Sequence, residues 1–527
     1  MPKVSPQAIE AHVRFLADDL LEGRRLGTRG HELAARYVAA QFATIGLQPG
    51  GTEGYFQRIT FERRSFAGAR ETMTLDRGGK SSVFVNGVDL RVGPGTVAGP
   101  ESISAGLVFA GFGIESKIAS INDYAGLDVT GKIVVVIGGA PLGMDSEIGA
   151  SLNASKAEVA ARHGAVGLIS VRTLADIARR PWSKVAGSAR QPVFSWEGPD
   201  GKPNASAAAL RFNAAVDEAA GDQLFAGAPR TLADIRAEVG ASPTARPKGF
   251  ALAGTLRLDR ATTIDRVTSP NVVGILPGTT PVLRDEFVLL TAHADHLGIR
   301  PELPGDKIYN GAADNASGVA LLLEAARSFA ESPRRTGRSL MFIVTTGEEV
   351  GLQGADYFAH NPTVAIGRIA SEVDLDMPIL TCSFGEIVPY GAAHSTMGET
   401  VAKVARSMGI GIAPDPQPIE GIFTRSDHYR LVQAGVPALF LKTGPGDDKG
   451  GKACGVADKA FRATQYHEPS DDMSLPFNWV AAARFADFNI RLTRALADAK
   501  ARPLWYRGDF FGDTFAPGQP RAERAAR

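Results

Sequence analysis

Cysteine is nearly absent. Cys382 and Cys454 are the two in 527 residues, too few for a disulfide-built scaffold or a thiolate zinc site. They can pair or stay free. No apolar run reaches the roughly 18 residues that a spanning helix needs, so no membrane partner is expected. Charge of one sign is also missing. Lys and Arg (57) balance Asp and Glu (57), and no basic excess calls for nucleic acid. Glycine and proline stay below the share of low-complexity chains, which excludes disorder for the bulk. There is no internal repeat. The start, MPKVSPQAIE, lacks a signal-peptide core, so the protein either stays inside the cell or begins after a removed signal. No oligomer signal is readable.

What is present is a length that allows two to four domains, at about 150 residues each, with 44% hydrophobic residues to fill their cores. Strand-like and helix-like runs alternate, which reads as α/β. Ser5-Pro6 starts a helix with Ile9, Val13 and Leu16 on one face. A second helix is expected from about His31 to Ile45, stopped by Gly46. Between them lies a loop, Glu22 to Gly30. From about 81 to 247 the chain is rich in Gly and Ala and poor in clustered acid and histidine, as a separate small domain would be. Strands are expected at Leu107–Phe109, Ile133–Ile137 and Val166–Val171. From about 248 short apolar strands return at Phe287–Thr291, Leu340–Thr345 and Val436–Leu441. Their nearly continuous apolar character suits a buried parallel sheet. Helices follow at about 316–330, 350–360 and 478–498.

The chemistry-bearing residues gather at the ends of these strands, where function collects in open α/β sheets. His293 and Asp295 follow the first strand, two positions apart, as a ligand imidazole and an orienting carboxylate would be. Asp314 and Asn315 precede a helix, where either Asn315 or Ser317 can serve as its cap. Glu348 and Glu349 end the second strand. One carboxylate there can bind a metal while its neighbour takes a proton from water. Asp374 and Asp376 alternate with apolar residues, and a buried unpaired carboxylate is costly, so a cation or a solvated edge is implied. His467 sits beside a Pro-Ser-Asp turn. Each motif alone is weak and fits a polar loop, a cap or a surface turn. Together, two histidines and three carboxylates suit two zinc ions sharing a bridging carboxylate, with Mn2+ or Co2+ as substitutes.

At these motifs the sequence resembles the co-catalytic two-zinc aminopeptidases, exopeptidases with a bacterial leucyl-aminopeptidase-like fold. The strings are His293 to Gly298, Asn310 to Gly318, Glu348 to Leu352, Leu375-Asp376-Met377 and Tyr466-His467, in the family's order. Ser426 to Tyr429, Asn271 to Gly274 and the Gly-Arg loop also match. The resemblance covers most of 1–80 and 250–500. It implies a mixed, mainly parallel central sheet flanked by helices. It implies that His293 and Asp376 bind one zinc, Glu349 and His467 the other, and that Asp314 bridges them. Asp295 would support His293, and Glu348 would be general base and then acid. Tyr466 would stabilise the oxyanion, and Ser426, Asp427 and His428 would shape the substrate pocket. Ala313 departs from the family, where many relatives carry an acid, but that position is not a ligand.

The segment between resembles a protease-associated domain, through Leu107 to Ile114, Asp123 to Leu127 with Gly131 to Val136, and His163 to Gly167. The expected organisation is therefore 1–80 and 248–505 as two parts of a peptidase domain, 81–247 as a smaller β-rich insertion, and 506–527 as a C-terminal tail. The tail from Gly518 is expected to fray, with Trp505 and Phe510-Phe511 packing on the body. The expected activity is removal of N-terminal residues from peptides. Its rivals are a carboxypeptidase or dipeptidase of the same fold, a non-catalytic binding protein on that scaffold, and a glutaminyl cyclase. The family's habits imply a periplasmic or secreted protein, with the cytoplasm left open. His12, His31, His163, His360 and His394 read as surface or packing residues.

Overall fold

Strands made of aliphatic residues at every position need cover on both faces. In the computed structural model, which describes residues 2–68, 70–204, 210–378 and 380–524, Phe287–His293, Ser339–Thr345 and Ile369–Asp374 are buried along their whole length. They lie side by side and parallel, and Ala438–Thr443 continues the parallel row. Antiparallel strands flank it. The end of Phe250–Leu276 and then Gln48–Pro49 lie on one side, Glu386–Tyr390 and Gly411–Ile412 on the other. Period-two alternation sorts the side chains. Val288, Leu290, Leu340, Phe342 and Val344 enter one core, and Phe287, Leu289, Met341 and Ile343 the other. The first core is closed by helices Pro6–Leu16, Arg29–Ile45, Ser317–Ala330 and Trp479–Asp498. This is the mixed, mainly parallel α/β sheet expected from the sequence.

Local chemistry sets the helix ends. The Ser5 hydroxyl accepts the Ala8 N–H at 3.2 Å, with Pro6 in the first turn. Helix Arg29–Ile45 stops at Gly46, whose φ of 84° is the left-handed conformation that glycine adopts without strain.

The chain divides into two units, residues 1–60 with 268–527, and residues 61–267. These borders lie about 20 residues outside the expected 81 and 247. The reason is strand pairing. Thr72–Arg77 forms a hairpin with Lys80–Val85 and also pairs with Thr255 to Asp259, so both flanks join the second unit. That unit holds a parallel row of Gly99–Phe109, Ile133–Ile137, Gly167–Val171 and Phe212–Val216, with helices such as Lys156–Arg162 and Leu232–Ala241.

The C-terminal segment does not fray as expected, as far as residue 524. Arg521–Ala522 pairs with Trp505–Tyr506. The Arg521 guanidinium donates to the carbonyls of Gly512 and Ala516, both at 2.7 Å. Residues 525–527 lie outside the described residues. Trp505 and Phe511 are buried, as the sequence suggested. Cys382 and Cys454 are joined in a disulfide with Cα atoms 5.5 Å apart. It ties the segment after Ile369–Asp374 to the first turn of helix Ala453–Thr464. Among the described residues, no helix is long and apolar enough to cross a membrane.

Candidate metal centre

Register aligns three strand ends. His293 lies opposite Thr345, and Thr291 opposite Asp374. The segments leaving these ends carry Asp295, Glu348 with Glu349, and Asp376. Asp314 comes from the turn before helix Ser317–Ala330, and His467 from the turn after helix Ala453–Thr464. Asp376 lies just past its strand rather than within it, because the strand ends at Asp374.

These side chains converge. His293 Nε2 stands 3.3 Å from Asp376 Oδ1 and 3.4 Å from Asp314 Oδ1. His467 Nε2 stands 3.2 Å from Asp314 Oδ2 and 3.1 Å from Glu349 Oε2. Asp314 thus turns one oxygen to each imidazole. Glu348 Oε2 is farther, 3.9 Å from His293 Nε2. Four carboxylates crowded in a buried place are costly unless cations join them. Burial opposes a charged His293, but Glu348, Asp314 and Asp376 overcome it and hold its pKa well above the ordinary 6.5. His467 is raised in the same way, by Glu349 chiefly. Glu348 itself is pushed well above the carboxylate range by burial, against His293 and with the help of Asp376 and Glu349.

The donor set fits divalent ions. Zinc bonds of about 2.0–2.2 Å in tetrahedral geometry put ligand atoms roughly 3.3–3.6 Å apart, close to the spacings seen. Nitrogen and carboxylate donors without thiolate suit zinc, manganese or cobalt.

Around the ligands lies a scaffold of buried polar bonds. The Asp295 carboxylate accepts the N–H groups of Glu348 at 3.1 Å and Glu349 at 3.3 Å. Its carbonyl, rather than its carboxylate, meets His293 Nδ1, at 3.1 Å against 3.9 Å. Asp295 therefore supports His293 through its backbone, a correction to the carboxylate role expected. Because a carbonyl only accepts, Nδ1 donates to it, and Nε2 is the nitrogen that faces the acids. Asn315 Oδ1 accepts from Gly318 and Met377, at 2.9 and 3.0 Å, and its amide donates to Leu375 O. The N-cap position itself is Ala316, so neither candidate occupies it; Asn315 satisfies the Gly318 N–H of the first turn, while the Ser317 hydroxyl donates to Ala313 O.

Tyr466 stacks on His467, with ring centroids 3.9 Å apart, and accepts from Arg425 Nη2 at 3.3 Å. Ser426, Asp427 and His428 are fully buried. Asp427 accepts from the Thr345 hydroxyl, and His428 Nδ1 lies 3.1 Å from Asp374 Oδ2. Burial and Asp374 push Asp427 up to about 8. Asp427 and His428 support strand ends from within, and all three are enclosed rather than lining an open pocket as expected. Their polar types suggested contact with substrate, but the strand ends that Asp427 and His428 bond are interior.

Arg24, Asp471 and His296 carry structural weight that single motifs do not announce. Asp471 accepts the N–H groups of Ala313 and Asp314 at 2.8 and 3.0 Å. Arg24 is fully buried and donates to the carbonyls of Ala294, Gly311, Leu16 and Asn310. It joins the turn after His293 to the turn before Asp314. Burial lowers its pKa only to about 10, so it stays charged. Arg24→Met removes a donor from all four carbonyls, of which Gly311 O keeps the Ala316 N–H, and is expected to cost about 3–5 kcal/mol. Thermal unfolding checks this, and a loss below about 1 kcal/mol would refute the clamp. The signal for Arg24 was the Gly-rich loop; an arginine at 0% exposure has no sequence signature of its own. His296 was visible as a second histidine in one short string.

Residues 271–493 match the model of Peptidase family M28. This part of the chain is similar to the M28 peptidases. Among curated proteins, a probable zinc metalloprotease of Pyrenophora teres is 37% identical over 113 residues, 21% of this chain and 23% of that protein. Aminopeptidase YwaD of Bacillus subtilis is 31% identical over 111 residues, 21% of this chain and 22% of that one. The matched stretches thus span less than a quarter of these relatives. The aminopeptidase from Aneurinibacillus sp. strain AM-1 shares the fold, at a TM-score of 0.53 and 19% identity over 95% of both chains. The matched stretch contains every ligand candidate, from His293 to His467, and leaves Arg24 outside its span.

Proposed function

We propose that this chain is a zinc-dependent exopeptidase, an aminopeptidase that removes N-terminal residues from peptides. One observation carries the reading: Asp314 turns one oxygen to His293 and the other to His467, the arrangement of a carboxylate shared by two ions. His293 and Asp376 would hold one zinc, Glu349 and His467 the other. The names of the Bacillus and Aneurinibacillus relatives add support for an aminopeptidase.

When bound, paired zinc ions polarise the scissile carbonyl and lower the pKa of water toward about 7. Glu348 has a carboxylate near this centre but outside the ligand spacing. It accepts the proton of the attacking water and passes it to the leaving amine. Asp295 fixes the Glu348 backbone while that proton moves. Tyr466, held by His467 and Arg425, donates to the developing oxyanion. The disulfide favours an oxidising compartment, so we place the protein in the periplasm or outside the cell. We assign residues 61–267 as the protease-associated insertion.

A carboxypeptidase or dipeptidase is the second reading, favoured by Arg425. Its guanidinium lies against Tyr466 and pairs with Glu420 at 3.0 Å, and it could read a substrate carboxylate. The test is a panel of aminoacyl nitroanilides, N-blocked peptides, and dipeptides with free or amidated C-termini. Cleavage of unblocked substrates alone, lost with chelator and regained with zinc, is expected. Cleavage that needs a free C-terminus and vanishes in Arg425→Met would replace the aminopeptidase reading with its rival. Absence of bound zinc would leave a binding scaffold.

A further inference from the structure

Glu349 faces two imidazoles, and the two distances differ in kind. His467 Nε2 lies 3.1 Å from Oε2, near the edge of a zinc tetrahedron. His296 Nδ1 lies 2.6 Å from Oε1, a charge-assisted hydrogen-bond distance. Two atoms bound to one zinc at about 2.0–2.1 Å stand about 3.3–3.4 Å apart in tetrahedral geometry, so the shorter pair is not a pair of ligands. His296 Nδ1 is also 4.0 Å from Asp314 Oδ2, too far to join the shared carboxylate.

We infer that His296 is a positioning residue: it holds Glu349 Oε1 in a hydrogen bond, so that Oε2 alone turns to the cation. The inference rests on the two-zinc reading above. The surroundings of the ring support it. His296 is fully buried, and its ring lies so close to Gly311 that a Cβ there would stand 2.6 Å from Cγ. Gly311 has φ +63°, where glycine alone is at ease. The ring is thus seated between the Gly311 backbone and Glu349. A bond to a carboxylate puts the proton on Nδ1. Among the described residues His296 Nε2 has no partner, and in that tautomer it is a bare acceptor rather than an orphaned donor. The arrangement fixes both the rotamer of Glu349 and its single-oxygen mode of binding, as partners behind metal ligands do.

The experiment compares the full-length wild type with His296→Phe and His296→Asn. Asparagine can present an amide N–H where Nδ1 stands, and phenylalanine cannot. Zinc affinity is read by competition with a chromophoric chelator, and coordination by the visible spectrum of the cobalt-loaded protein. In His296→Phe one of the two zinc ions, the one assigned to Glu349 and His467, is expected to lose roughly 10–100-fold in affinity, with the other unchanged. His296→Asn should recover most of that loss and keep the wild-type cobalt spectrum. Should phenylalanine prevent folding, His296→Leu serves the same comparison. Wild-type affinity for both zinc ions in the apolar variant would overturn the inference. So would an asparagine variant as weak as phenylalanine with an altered cobalt spectrum, which would make His296 a ligand. Fewer than two zinc ions in the wild type would instead overturn the two-zinc reading on which the inference stands.

Discussion

Glu348→Gln is expected to keep its full zinc content and lose about 10²–10⁴-fold in turnover. Glutamine has the shape of glutamate but cannot take a proton from water. The prediction follows from spacing. Glu348 Oε2 stands 3.9 Å from His293 Nε2, whereas Asp376 and Asp314 stand at 3.3 and 3.4 Å. The backbone of Glu348 is held by Asp295 at 3.1 Å, so exchanging the side chain leaves the turn in place. Metal analysis and kcat measured on the same preparation decide the matter. Turnover near wild type would end the general-base assignment, and zinc loss would make Glu348 a ligand.

Asp314→Ala should behave differently, losing metal and activity together. Both oxygens of Asp314 face imidazoles, and the side chain is buried among the ligand candidates. Hydrogen bonds to His293 and His467 outweigh burial and hold its pKa well below the carboxylate range. On the two-zinc reading its removal takes a donor from each ion, and alanine supplies none. Dialysed protein is expected to retain less than one zinc per chain, with kcat/KM down on the order of 10³-fold or more. A fully metallated, active variant would refute the shared role. The two variants separate the proton carrier from the metal anchor.

The strands that build the centre could be read directly, because burial on both faces demands unbroken aliphatic runs such as Phe287 to Thr291 and Leu340 to Thr345. The ligand candidates were legible for a related reason. Several acids and imidazoles at the ends of apolar strands would repel or desolvate one another without a cation to gather them. What escaped was support that depends on distant partners. Arg24 binds carbonyls about 270 residues or more away as well as one nearby, and no spacing rule connects them. Ser426, Asp427 and His428 looked like pocket residues, because polarity alone does not tell an interior bond from a surface. The borders of the second unit were missed since Thr72–Arg77 declares its partner only through pairing with Thr255 to Asp259.

The link between Cys382 and Cys454 bears on how the protein must be handled. It closes a ring of chain that carries Asp427 and its neighbours, begins shortly after Asp376 and ends in the helix that leads to His467. A dithiol in the buffer therefore attacks twice: it opens this ring, and it competes for zinc as a soft chelator. Inactivation by dithiothreitol would be ambiguous unless a thiol-free phosphine, which reduces without the same chelate, is run beside it. Preparations kept free of thiols are expected to preserve the tether and any bound zinc alike.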